Sequence, residues 1–72
     1  MYQEKLLGER IKILRKERLE TTSDMGKNLG LVRTAITNWE VGTTHPSLEN
    51  LCKLADYFGV TTDYLLGQAD DR

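Results

Sequence analysis

The chain has 72 residues, 29% of them charged, with a net charge of −1, one cysteine and one histidine. That length makes one domain, residues 1–72, burying only about 60% of its unfolded surface, too little for separate cofactor and substrate units. The lone Cys52 excludes an internal disulfide and fits a reducing compartment, and one Cys with one His makes no zinc cluster, so neither metal nor cofactor is expected. With no run of 18 apolar residues and no apolar signal core, a cytoplasmic protein without membrane contact is expected.

Leu7, Ile11 and Leu14 recur at i, i+4 and i+7, predicting a first helix over about residues 5–18. Thr21 followed by Asp24 fits a capping box for a short second helix, with Met25 and Leu29 as its apolar pair and Gly30 as its stop. Gly26 inside that helix costs about 1 kcal/mol relative to alanine. Val32, Ala35, Ile36 and Trp39 form the stripe of a third helix that ends at Gly42. The "TTHPS" segment reads as a turn, and Pro46 or Ser47 opens a fourth helix. Its buried face is expected to hold Leu48, Leu51, Cys52, Ala55 and Phe58, with Cys52 as a small core residue, and Gly59 ends it. Thr61 or Thr62 caps a short fifth helix carrying Tyr64, Leu65 and Leu66 before Gly67; the polar residues 68–72 are expected to fray. No strand pattern competes. The fold class is all-α, a compact bundle of five short helices.

Opposite the third helix's apolar stripe lie Arg33, Thr34, Thr37 and Asn38, uncharged apart from the arginine. Two short helices joined at Gly30 and Leu31, the second apolar on one side and hydrogen-bonding on the other, describe a helix-turn-helix. Such a unit lays its second helix in the major groove of double-stranded DNA. Reading base edges there takes amides, hydroxyls and arginine: Arg33 suits guanine, Asn38 adenine, and Thr34 and Thr37 thymine methyls or phosphates. Charge is unevenly spread. Residues 1–19 carry six basic and three acidic side chains, whereas residues 46–72 carry two and five. The asymmetry points to a basic, nucleic-acid side as readily as to a mixed solvated surface.

The segments "GERIKILRKER", "LGLVRTAITNWEVG" and "PSLENLCKLADYFGVTTDYLLG" resemble the helix-turn-helix family of phage Cro and cI repressors, the Xre family, from about Leu7 to Gly67. The resemblance implies a lambda-repressor-like bundle and a small bacterial or prophage repressor that binds an operator as a homodimer. It implies an ion pair between Arg15 and Glu40, an apolar anchor at Trp39, and a dimer contact through Tyr64 and Leu65. Phosphate contacts are expected from Thr21, Thr22, Thr43 and His45. Several positions depart from the family pattern. Thr22 stands where Gln is usual, and Gly26, where Ala is usual, fits but stiffens nothing. Val32 replaces a capping Ser or Thr, at about 0.5–2 kcal/mol. Leu19 and Glu20 occupy positions where Gly and an apolar residue are common, Glu20 and Asp24 bring negative charge toward the DNA side, and the loop at 43–45 lacks Lys or Arg. These changes weaken backbone contacts, which supply most of the affinity. They therefore keep a second reading open, a protein-interaction module of the same fold, such as an antitoxin or regulatory subunit, whose partner is a protein. An enzyme is not expected: Ser23 and Ser47 have no histidine base on a matching face.

Overall fold

A computed structural model describes residues 4–72. Five helices follow one another: α1 (Glu4–Glu17), α2 (Thr22–Leu29), α3 (Arg33–Val41), α4 (Leu48–Phe58) and α5 (Thr62–Leu65). Each contributes one residue to the centre of the core. Ile11, Met25, Ile36, Leu54 and Leu65 come from α1 to α5 in turn and are all fully buried. Leu7, Leu14, Trp39, Leu51, Ala55 and Tyr64 complete the buried cluster. No helix among the described residues is long and apolar enough to cross a membrane.

Local chemistry sets the boundaries. Thr21 caps α2: its hydroxyl accepts from the Asp24 amide at 3.0 Å, while the Asp24 carboxylate accepts from the Thr21 amide at 3.0 Å. Ser47 and Thr61 cap α4 and α5 in the same way, each accepting from the amide three residues on. Gly30 and Gly42 stop α2 and α3 in the left-handed conformation. After α1 that conformation falls to Leu19, with φ +58° and a side chain 91% exposed. The Glu20 amide there donates back to the Arg15 carbonyl at 3.2 Å, closing a Schellman turn on a residue that pays the steric cost glycine would avoid.

Three expectations are corrected. Val32, expected on the apolar stripe of the third helix, is instead the residue before α3 and is exposed. The buried face of α4 is Leu51, Leu54 and Ala55, with Phe58 half-buried, whereas Leu48 is 82% exposed and Cys52 is exposed. Both stripes have helical spacing; packing into the common core selects the one centred on Leu54. The C-terminal residues are also tied down rather than frayed. Arg10 donates to the carbonyls of Tyr64 and, at 2.7 Å, Ala69. Arg72 forms a two-bond pair with Glu17 at 2.7 and 2.8 Å, and the Thr61 amide donates to the Arg72 carbonyl.

Candidate nucleic-acid interface

The site centres on α3, and its placement rests on two close backbone approaches. Gly8 in α1 faces the carbonyls of Trp39 and Glu40. A Cβ there would lie 2.7 and 2.6 Å from those oxygens, so α1 can meet α3 this closely only through a glycine. Gly26 in α2 plays the same part at the turn, where a Cβ would sit 2.7 Å from the Leu31 carbonyl oxygen. Gly26 is therefore more than a tolerated gap: the Leu31 amide donates to its carbonyl at 2.8 Å, and the turn folds over its open side. Sequence reading did not single out Gly8, although a lone glycine inside a helical pattern is the signal for such an approach.

A part-buried ion pair ties α3 to α1. Arg15 Nε and Nη2 donate to the Glu40 carboxylate at 2.7 and 3.0 Å, and Nη1 donates to the Glu20 carbonyl at 2.7 Å. The two side chains are only 12% and 7% exposed. The hydrogen bond to Glu40 raises the Arg15 pKa above its already high ordinary value. One guanidinium thus joins α1, the turn before α2, and α3.

The outward face of α3 presents Arg33, Thr34 and Thr37, all exposed, with Asn38 half-buried beside them. Arg10, Arg15, Arg18 and Arg72 are each engaged in an ion pair. Among the described residues only Arg33, of the five arginines, has no such partner. It also occupies the first position of α3, at the positive end of the helix dipole, where a cation is unfavourable. The Thr37 hydroxyl donates to the Arg33 carbonyl at 3.2 Å, so it can offer an incoming base edge only lone pairs and its methyl group.

The expected phosphate contacts are unequal. Thr21 is exposed and Thr22 half-buried at the start of α2, with the Thr21 oxygen engaged in the capping box. Thr43 is exposed, but its amide and that of Thr44 donate to the Asn38 carbonyl at 3.0 and 3.4 Å. The loop's contribution falls to the hydroxyls rather than the backbone. His45 lies 3.5 Å from the Glu4 carboxylate. The basic side counted at the N-terminus is also partly consumed, since Arg10, Arg15 and Arg18 are paired with Asp70, Glu40 and Glu20.

Nor does Glu20 present a bare negative charge. Its carboxylate accepts from Arg18 at 3.1 Å, Asn28 at 2.8 Å and the Tyr57 hydroxyl, and Arg18 stacks over the Tyr57 ring at 4.3 Å. This network links the first turn, α2 and α4; nothing in the local sequence around Glu20 signals it. Asp24 is likewise occupied, and the Thr21 amide holds its carboxyl below the usual range.

Tyr64 and Leu65 cannot form the dimer contact expected of them. Leu65 is fully buried, and Tyr64 is 7% exposed beneath Arg10, whose guanidinium lies 4.2 Å from the ring centroid. The exposed apolar surface lies elsewhere. Leu48 lines a cleft of about 280 Å³ together with Leu7, His45, Pro46, Leu51 and Leu66.

Comparison with known proteins gives a consistent result. The helix-turn-helix family pattern matches residues 11–65. Over 61 residues the chain is 36% identical to the SPbeta prophage-derived uncharacterized HTH-type transcriptional regulator YonR of Bacillus subtilis (strain 168), and 39% identical to the repressor protein C2 of Salmonella phage P22. Both matches cover 85% of this chain, but only 56% of YonR and 28% of C2. The crystal structure of the P22 c2 repressor in complex with a synthetic operator superposes with a TM-score of 0.83 at 38% identity, covering 89% of this chain and 97% of that one.

Proposed function

Since the chain belongs to the helix-turn-helix family, we propose that it is a sequence-specific, double-stranded DNA-binding transcriptional regulator, with α3 as the helix that enters the major groove. The observation that carries this reading is the start of α3, where the arginine without an ion-pair partner and the exposed Thr34 project from a helix held rigidly from behind. Stability alone would place neither a cation nor an uncapped end there. Arg33, Thr34, Thr37 and Asn38 meet base edges; Thr21, Thr22, Thr43 and His45 lie toward the phosphates. The operator complex of the P22 repressor, alike in fold and 38% identical, supports the same use of this chain.

The protein binds as a homodimer, acting as a repressor by excluding polymerase from the operator. The apolar cleft whose wall includes the exposed Leu48 suits a second copy, because a two-fold axis would cover the same apolar surface on both copies at once. With four of the five arginines held in ion pairs, one copy makes few phosphate contacts, and two half-sites about one helical turn apart compensate.

Selection of duplexes from a random library with purified protein, followed by titration of the enriched sequence at two salt concentrations, tests this. An enriched palindrome bound less tightly at higher salt is expected. Folded protein that enriches no duplex would overturn it and favour the protein-interaction module.

A further inference from the structure

We infer that Val32 is a specificity-determining residue that reads the 5-methyl group of a thymine at the edge of each half-site, an inference that rests on α3 lying in the major groove. Val32 is the N-cap of α3, with φ −76° and ψ 147°, and its side chain is 68% exposed. It contributes little to the folded chain. It makes no capping hydrogen bond and does not belong to the core. The same chain caps α2, α4 and α5 with hydroxyls at Thr21, Ser47 and Thr61. Of the starts of α2 to α5, that of α3 alone has no side-chain cap, and it is the start that carries Arg33 and Thr34.

What can meet an exposed isopropyl group at this point follows from the groove. The first residues of a recognition helix contact base edges. Most of what the major groove offers is polar: N7, O6 and O4 acceptors, and the N4 and N6 amino groups. Thymine alone adds a methyl. Phosphate oxygens gain nothing from valine, so a branched apolar side chain at this position selects thymine. Serine or threonine would cap the helix and bond a phosphate, giving tighter but less discriminating contact. Valine gives up both for a methyl-to-methyl contact.

The test uses the enriched operator, each thymine replaced in turn by deoxyuridine, which removes the methyl and leaves base pairing intact. Binding is measured for the wild-type protein and for Val32→Ser. At one thymine per half-site, wild type is expected to lose about fourfold in affinity, the worth of one buried methyl. Val32→Ser is expected to be indifferent to the same replacement, while melting at a higher temperature through the restored cap. The inference is overturned if every replacement weakens both proteins equally, which includes the case of Val32 docking on a protein instead. If wild type binds no duplex, the DNA-binding reading itself falls and carries this inference with it.

Discussion

Glu40→Ala removes two of the three hydrogen bonds made by Arg15 and leaves a guanidinium 12% exposed with only the Glu20 carbonyl as acceptor. Breaking a buried ion pair from one side costs about 3–5 kcal/mol. Because the arginine keeps one acceptor and some solvent, the low end applies, about 3 kcal/mol. A domain of this size has about 4–11 kcal/mol in total, so the variant stays folded in the cold but melts about 12–24 °C lower. Trp39 is the only tryptophan and is 5% exposed, so its fluorescence during urea unfolding reports the change directly. Replacing both partners, Arg15→Met with Glu40→Leu, is expected to recover most of the loss, because no charge is left stranded. A single-variant loss below about 1 kcal/mol, the worth of an exposed pair, would refute the reasoning. So would a double variant as unstable as the two single losses added together.

Gly8→Ala places a Cβ 2.6 Å from the Glu40 carbonyl oxygen, so despite the better helix propensity it is expected to destabilise by about 1–3 kcal/mol in chemical denaturation. Leu19→Gly relieves a left-handed residue whose side chain packs on nothing, and is expected to stabilise by about 1 kcal/mol in the same assay. Glu17, paired with Arg72, and Asp24, bonded by the Thr21 amide, both have pKa values below their ordinary 4.5 and 3.8. The folded state therefore binds fewer protons than the unfolded one in that range; the stability these groups lend is full above about pH 4.5 and is lost as the pH falls through their depressed values. Melting temperatures followed from pH 7 to 3 are expected to fall, and less steeply in Arg72→Ala. Arg33→Ala is expected to weaken the selected operator by about 1–3 kcal/mol and to relax preference at one base pair, with little change in melting temperature; an unchanged preference would misplace the recognition helix.

Helix number, order and stops were legible in the sequence because their causes are local. Capping by Thr21 and Thr61, the left-handed glycines at 30 and 42, and 3.6-residue periodicity each act within a few residues of chain. The polar face of α3 was legible for the same reason: a hydrogen-bonding row opposite an apolar stripe is a property of one helix. What tertiary structure alone decided is which surfaces meet. Leu48 and Cys52 fit a helical stripe as well as Leu54 does, and only the assembled core, which takes Leu54, leaves them outward. Tyr64 offers an exposed-looking aromatic until Arg10, 54 residues away, covers it. The basic count near the N-terminus likewise says nothing of direction, and Arg10 and Arg15 turn toward Asp70 and Glu40, acids that the chain brings to them from elsewhere. Local sequence fixes backbone conformation through short-range sterics and hydrogen bonds. The final exposure of a side chain depends on partners many residues distant, and only the folded chain supplies them.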